Sequence, residues 1–283
     1  MINPARPTRI SRIRLPQGQL FWREVGEGPT LVFLHGSFQD GTQWLPLVEQ
    51  LASRFHCLIP DLLGFGESLL PEKRQEKHQS IALQADCLAA YLEALHLENY
   101  TLVAHSLGAW VASHFALTQP TQLRAMVLIS PEGILTEAFP NRWQREKQLT
   151  AFVPVVPALL KLASPFSRLV GKHGAIARQR AYRHQLLASP ASCRLLFKRR
   201  WSEIQAELLN ERLGQLQVRT QVLQGGQDDS AVIAQSKAFV QGCPAAQLRL
   251  LKEGDRDLLV HWSDSIAYEI ERLVLNAQAA VSS

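Results

Sequence analysis

The stretch Val103-Ala104-His105-Ser106-Leu107-Gly108 decides the fold of this chain of 283 residues. It directly follows an apolar run at 100–103 and directly precedes apolar residues at helical spacing. A serine between small residues on a sharp strand-to-helix turn is the pattern of a nucleophile elbow, which lifts the hydroxyl above a sheet. The helix that begins after the serine directs free N–H groups at the same place. The stretch therefore predicts an α/β sheet with Ser106 as a candidate nucleophile.

Strands and helices alternate along most of the remaining chain, which favours βαβ units and a mostly parallel sheet. The alternating residues 9–15 and 19–25 predict a hairpin, because Pro16-Gln17-Gly18 separates them. Further strands are predicted at 30–34, 56–60, 100–103, 123–129, 220–223 and 247–251. Helices are predicted at 44–51, 81–95, 107–115, 231–240 and 265–275.

The alternation stops between residues 134 and 214, which are rich in arginine and leucine. This segment has 14 Lys/Arg against 5 Asp/Glu, a balance of +9, whereas the remainder has 16 against 20, a balance of −4. The difference predicts a separate helical insertion between two strands of the sheet. Its basic face could be a solvated surface, could steer an anionic substrate or could rest on an anionic membrane. We expect no nucleic-acid partner, because the chain has no recognisable nucleic-acid-binding module.

Composition favours a soluble globular protein, with 46% hydrophobic and 19% charged residues. We expect no secretory signal and no membrane span, because the start lacks an apolar stretch and no long apolar run occurs. A cytoplasmic location is the default expectation that follows. The wide spacing of the four cysteines predicts free thiols rather than a disulfide framework or a metal site: Cys57, Cys87, Cys193 and Cys243.

Polar residues with useful chemistry follow four of the predicted strands. They are His35-Gly36-Ser37, Asp61, Ser106 and Asp228. Ligands of open α/β sheets bind outside the carboxyl ends of the strands, so these residues predict a site there. Asp61 begins the glycine-containing segment 61–68, for which we expect a structural role in shaping turns.

A serine nucleophile needs two backbone donors for the oxyanion that develops during attack. One is expected to be the N–H of Leu107, directly after the serine. The other is expected in the loop after His35-Gly36, first at Ser37 and second at Phe38. Neighbouring His105 is expected to point into the packing and not to act as a base.

A carboxylate is also expected, to orient a base and stabilise its charged form. Asp228 is the first candidate, because it follows a strand through Gly225-Gly226-Gln227. Asp229 is its competitor, and Glu132, just after the strand that ends at Ile129, is a second-line candidate.

With these pieces in place, the chain resembles an α/β-hydrolase fold protein of the kind that carries a cap. The matching segments stand in the family's order: Leu34-His35-Gly36-Ser37, Asp61-Leu62-Leu63-Gly64-Phe65-Gly66-Glu67-Ser68, Ala104-His105-Ser106-Leu107-Gly108 and Gly225-Gly226-Gln227-Asp228. The resemblance implies an eight-stranded, mostly parallel sheet with helices on both faces, a cap after the sixth strand and a triad in the order Ser, Asp, His. Ala104 departs mildly from the family's pattern, since glycine usually stands there.

The triad histidine is missing from this chain. In the family it lies in the loop after the last strand, and Arg256 occupies that place here. A guanidinium has donors only and is not deprotonated in proteins, so Arg256 cannot be the general base, and an ion pair with Asp228 is expected instead. Three interpretations remain: His261 substitutes as base, the chain is a natural non-catalytic relative that binds a ligand, or Arg256 is one change in a competent hydrolase.

We predict a hydrolase core at 1–131 and 215–283 and a helical cap at 132–214. The apolar segment 151–160 would give the cap a pocket, which favours a small hydrophobic acyl or aromatic ester as substrate or ligand. The predicted function is hydrolysis of an ester, thioester or related acyl bond, with a catalytically silenced ligand-binding relative as the alternative. The resemblance implies no metal and no organic cofactor. A serine rather than an aspartate at the elbow argues against the family's epoxide hydrolases and haloalkane dehalogenases.

Overall fold

The computed structural model describes residues 8–71, 79–150 and 173–282. The predicted apolar segment 151–160 of the cap therefore lies outside the described residues. The strands are β1 (Arg9–Leu15), β2 (Gly18–Val25), β3 (Thr30–Leu34), β4 (His56–Pro60), β5 (Tyr100–His105), β6 (Leu123–Ile129), β7 (Arg219–Gly225) and β8 (Ala246–Leu251). The α-helices are α1 (Leu45–Leu51), α2 (Ile81–Ala94), α3 (Leu107–Ala116), α4 (Gln144–Leu149), α5 (His173–Ala188), α6 (Pro190–Cys193), α7 (Trp201–Gln205), α8 (Ser230–Gly242), α9 (Leu258–His261) and α10 (Ser263–Ser282). None of the helices in these ranges is long and apolar enough to cross a bilayer.

The eight strands form one sheet in the order β1-β2-β4-β3-β5-β6-β7-β8. β1 and β2 pair antiparallel as the predicted hairpin, and β2 also pairs antiparallel with β4. All remaining neighbours are parallel. The prediction of an eight-stranded, mostly parallel sheet is therefore confirmed.

The central strands are buried on both faces, as parallel strands covered by helices must be. Consecutive residues Leu31 to Leu34 of β3 are fully buried, although their side chains alternate between the two faces. One apolar cluster joins Phe33, Val103 and Ile129 of three strands to Leu47 of α1 and Ile270 of α10. This packing fixes the carboxyl ends of β3, β5 and β6 side by side.

The chain divides into two compact units, one of which is residues 137–206. The other unit comprises the chain up to residue 136 and from residue 207 onward, and it contains the whole sheet. Unit 137–206 stands between β6 and β7 in the chain, so it follows the sixth strand. The predicted cap, 132–214, is a few residues wider at each end.

All four cysteines are free and buried, in agreement with the prediction of free thiols. Burial raises the pKa of Cys57 and of Cys87 to about 12, because a thiolate is poorly solvated away from water. These two thiols therefore stay protonated and unreactive at neutral pH.

Candidate active site

Ser106 occupies a strained turn between β5 and α3. Its backbone angles are φ 51° and ψ −112°, in a region that residues with a side chain seldom adopt. The turn is held from outside, because the Ser106 N–H donates to the carbonyl of Ile129 at 2.9 Å. The Ser106 carbonyl in turn accepts the N–H groups of Ala109 at 3.1 Å and Trp110 at 3.2 Å. Such a turn presents a half-buried hydroxyl at the carboxyl edge of the sheet.

Two glycines allow neighbouring backbone to approach this turn. A Cβ atom on Gly108 would lie 2.4 Å from the carbonyl oxygen of Leu34, so a side chain there would push α3 off β3. A Cβ atom on Gly36 would lie 2.5 Å from His105 Nδ1 and 3.3 Å from the Cβ of Ser106. The loop after β3 therefore lies directly against the serine.

The two predicted oxyanion donors flank this contact. Leu107 is the first residue of α3, so its N–H belongs to the first turn, where helical N–H groups have no partner within the helix. Ser37 follows Gly36 directly, and the next residue, Phe38, has a positive φ of 59°. The Ser37 hydroxyl oxygen is buried and has no hydrogen-bond partner among the residues that the structure describes.

His35 fixes the loop after β3 in its neutral form. Its Nδ1 donates to the carbonyl of Gly36 at 3.0 Å, and its Nε2 accepts the N–H of Leu62 at 2.9 Å. Burial lowers the pKa of His35 below its ordinary value, and the bond to Gly36 opposes this shift. Because one ring nitrogen must accept and the other donate, only the neutral imidazole satisfies both contacts.

Asp61 connects the loops below the site. Its buried carboxylate accepts the N–H of Gly41 and the N–H of Glu67, each at 2.8 Å, and lies 3.3 Å from Arg23 Nη1. These hydrogen bonds and this ion pair hold loops together, which agrees with the structural role expected for 61–68.

Asp228 is anchored by residues that the sequence analysis missed. Its Oδ1 accepts the N–H of Asp229 at 2.7 Å, and its Oδ2 accepts Nε2 of Gln224 at 3.1 Å. The amide oxygen of Gln224 accepts the hydroxyl of Ser236 at 2.6 Å. Gln224 and Ser236 are both fully buried. No local sequence signal indicates these hydrogen bonds, because the pairing of Gln224 in β7 with Ser236 in α8 depends on tertiary contact.

Asp229, the competitor, has a different task. Its carboxylate accepts the N–H of Ala231 at 2.8 Å and caps the N-terminus of α8. This leaves Asp228 as the carboxylate at the end of β7.

Arg256 does not form the ion pair that the sequence analysis expected. Its side chain is exposed, and no ion pair joins it to Asp228 in the described residues. The expectation failed because Asp228 already receives two donors from its own strand and loop, and Arg256 gains more hydration in solvent.

His261 lies at the C-terminal end of α9 and pairs with a different carboxylate. Its Nδ1 is 3.0 Å and 3.3 Å from the two carboxylate oxygens of Asp255, and both side chains are about half exposed. In the described residues Asp228 has no hydrogen bond to His261. With Nδ1 as the donor to that carboxylate, Nε2 is the ring nitrogen that can accept a proton.

Backbone hydrogen bonds link the carboxyl end of each strand from β5 to β7 with its neighbour, up to the loop after β8. Ser106 is joined to Ile129, Ser130 N–H donates to the carbonyl of Leu223 at 2.9 Å, and Gln227 N–H donates to the carbonyl of Gly254 at 2.8 Å. Glu132, the second-line acid, is buried near the serine, and its N–H donates to the Ser106 carbonyl at 3.4 Å. The structure thus arranges the predicted site residues along one edge, in the order of β5, β6, β7 and the loop after β8.

Comparisons with known proteins agree with this architecture. A family model described as alpha/beta hydrolase fold matches residues 29–260. A thermophilic esterase from Thermogutta terrifontis has a TM-score of 0.69 to this chain at 20% sequence identity, over 95% of this chain and 99% of the esterase. At this level of identity the likeness concerns the fold alone.

Curated relatives match a shorter part of the chain. An uncharacterised protein of Mycobacterium tuberculosis is 35% identical over 113 residues, which are 40% of this chain and 32% of that protein. A pimeloyl-[acyl-carrier protein] methyl ester esterase of Pseudoalteromonas atlantica is 37% identical over 110 residues, which are 38% of this chain and 39% of the esterase. The match spans well under half the length of these relatives.

Proposed function

Because this chain belongs to the alpha/beta hydrolase fold family, we propose that it is a serine hydrolase that cleaves an ester, thioester or related acyl bond through Ser106. The observation that carries the proposal is the strained backbone of Ser106 at the strand-to-helix turn. Strain of this kind is retained where surrounding structure holds it, and it exposes the hydroxyl for attack.

In the proposed reaction the Ser106 oxygen attacks the acyl carbon and the oxyanion receives the N–H groups of Leu107 and Ser37. The closeness of Gly36 to Ser106 supports this assignment, because Ser37 directly follows Gly36 and Leu107 directly follows Ser106. An acyl-enzyme forms as the alcohol or thiol leaves, and water then releases the acid. Asp228 is the proposed acid member, held in position by Gln224.

The proton acceptor is the open part of this proposal. We assign it first to His261, whose pairing with Asp255 supplies the carboxylate–imidazole arrangement that a base needs. On this assignment the histidine acts with Asp255, and Asp228 stabilises the site from the neighbouring loop. Loss of a triad histidine costs about 10⁴- to 10⁶-fold in turnover where nothing replaces it.

The proposed substrate is a small hydrophobic acyl compound. Support comes from the esterase relative described above, whose name gives pimeloyl-[acyl-carrier protein] methyl ester as its substrate. The helical unit 137–206, inserted after β6, is proposed to act as a cap for such a substrate.

The second candidate is a ligand-binding relative without turnover. The exposed Arg256 at the histidine's place favours it, since a guanidinium accepts no proton. In this case the N–H groups of Leu107 and Ser37 would bind a ligand that no residue activates.

Labelling with a fluorophosphonate, read by intact mass and peptide mapping, separates the two candidates. We expect the wild-type chain to gain one adduct at Ser106 and the variant Ser106→Ala to gain none. His261→Asn should then slow the labelling, because the base is lost, while the matched exposed histidine variant His184→Asn should not. Wild type that stays unlabelled under conditions that label a known serine esterase rejects the hydrolase proposal in favour of the ligand-binding one.

A further inference from the structure

The charge of the helical unit is far from that of the rest of the chain. Residues 137–206 have 13 Lys/Arg and 3 Asp/Glu, a balance of +10, and the other residues have 17 and 22, a balance of −5. Ten of the basic residues and all three acidic ones lie in the described parts of the unit. Glu146 is buried, where its carboxylate accepts the hydroxyl of Tyr182 at 2.8 Å. The outer surface of the unit is therefore strongly cationic.

The most concentrated charge stands beside an exposed aromatic ring. Lys198 ends a π-helical segment, Arg199 and Arg200 follow it, and Trp201 is the first residue of α7; we call residues 198–201 the basic turn. The side chains of Lys198 and Arg200 are exposed, and Trp201 is 44% exposed. The Trp201 ring also contacts the buried ring of Phe139, with 6.2 Å between centroids, so the indole is held at the surface by its inner edge.

Helix α5 presents a second surface of the same character within this unit. Arg180, His184 and Leu187 follow each other at helical spacing and are all exposed, whereas Leu186 is the buried residue of this helix's described side chains. Arg180, His184 and Leu187 thus add basic and apolar side chains to the exposed surface of this unit.

We propose that unit 137–206 binds the anionic surface of a phospholipid bilayer, with the basic turn as its contact. Lysine and arginine are attracted by anionic headgroups, and each one near the surface strengthens binding roughly fivefold. Tryptophan adds specificity for a bilayer, because its amphipathic ring is favoured at the level of the headgroups. An acidic protein would satisfy the charges but would gain less from an indole surrounded by cations. This inference does not depend on whether Ser106 is catalytic.

Vesicle flotation tests the proposal on the full chain. We expect binding to phosphatidylcholine vesicles that contain phosphatidylserine, little binding to pure phosphatidylcholine, and release at high salt, because screening weakens charge attraction. The double variant Lys198→Gln/Arg200→Gln should weaken binding roughly tenfold or more. The double variant Arg9→Gln/Arg14→Gln removes the same charge from exposed positions of β1 and should change binding little.

The tryptophan separates a bilayer from an acidic protein. Trp201→Ser should reduce vesicle binding, whereas Tyr268→Ser, which removes an exposed aromatic ring from α10, should not. Circular dichroism verifies that each variant remains folded. The proposal is overturned if anionic vesicles are not bound, if the β1 variant weakens binding as much as the basic-turn variant, or if Trp201→Ser leaves binding unchanged.

Discussion

The candidate site has two halves at the carboxyl edge of the sheet. In the nucleophile half, neighbouring strands and loops fix the backbone of Ser106, whereas the acid–base half, around Asp228, Arg256 and His261, depends on individual side chains. The serine turn is fixed by a bond to β6 and by the close approach of Gly36 and Gly108. Asp228 is also fixed, through Gln224, but among the described residues after β8 the side chain of Arg256 is exposed and His261 is paired with Asp255. The nucleophile half is thus part of the fold, and the acid–base half is an addition to it.

On the proposed assignment, with Arg256 at the place expected for the triad histidine, this difference explains how the chain can keep the other features of a hydrolase. Removing the elbow's geometry would disturb β3, β5, β6 and α3 together, so the fold itself preserves it. Exchanging one exposed side chain in the loop after β8 leaves every described contact of Asp228 in place. We therefore expect substitutions at position 256 to have little effect on stability, whatever they do to the proposed activity.

Arg256→His should produce the largest change, because it adds an imidazole at the place where the family has its base, besides His261, which is paired with Asp255. General base catalysis contributes about 10²- to 10⁴-fold, so we expect Ser106 to react with a fluorophosphonate at least about 100-fold faster. The rate should rise with pH through a value near the ordinary histidine pKa of about 6.5. Labelling reactions that are quenched at timed intervals at several pH values and read by intact mass measure the rate and its pH dependence.

Arg256→Gln is the matched control for that gain. It removes the positive charge and supplies no base, so its labelling rate should stay near that of wild type. Equal acceleration by glutamine and histidine would mean that the arginine inhibits by its charge or bulk, and the comparison between the two halves would fail.

The first half of the site could be predicted from sequence for a physical reason. A strand, a small residue, serine, glycine and a helix are local in the chain, and their geometry follows from local backbone preferences. The mostly parallel direction of the strands follows from their alternation with helices. The hairpin of β1 and β2 and the eight-stranded sheet that the family resemblance implied were both correct.

The second half could not be predicted in the same way, because its contacts join residues distant in sequence. Gln224 and Ser236 are 12 residues apart, and their bond depends on how α8 packs on β7. The expected pair of Arg256 with Asp228 was wrong, because charge alone does not say which donors reach a carboxylate first. The role of Asp229 did carry a local signal, since an aspartate directly before a helix is a typical N-cap.

Gln224→Leu sharpens the comparison by loosening Asp228 while the serine turn stays intact. Measured with Arg256→His in the background, we expect labelling of Ser106 to slow about tenfold, since a hydrogen bond to a charged group is lost. Adding Asp228→Ala should abolish the difference between glutamine and leucine at position 224, because Gln224 acts through that carboxylate.

The control is Gln235→Leu, which makes the same exchange at a fully buried position of α8. Neither polar atom of the Gln235 side chain has a hydrogen-bond partner among the described residues, so leucine should be neutral or stabilising there. A slowing by Gln235→Leu equal to that by Gln224→Leu would indicate general loosening of β7 and α8 and not positioning of Asp228.

The smallest expected effect is on the pH dependence of stability, through His35 in the loop beside Ser106. Burial lowers the folded-state pKa of His35, so the unfolded chain binds a proton more readily once the pH falls below about 6.5. The stabilisation is therefore complete above that pH and is lost on acidification towards the lowered pKa, with a slope of at most about 1.4 kcal/mol per pH unit. Denaturant unfolding of wild type and His35→Gln between neutral and mildly acidic pH should differ by this slope.

His114→Gln must be compared in parallel, because burial, aided by Arg212, also lowers the pKa of His114. If the His35 variant keeps the full wild-type slope while the His114 variant loses it, the neutral imidazole between Gly36 and Leu62 is not what holds the loop beside Ser106.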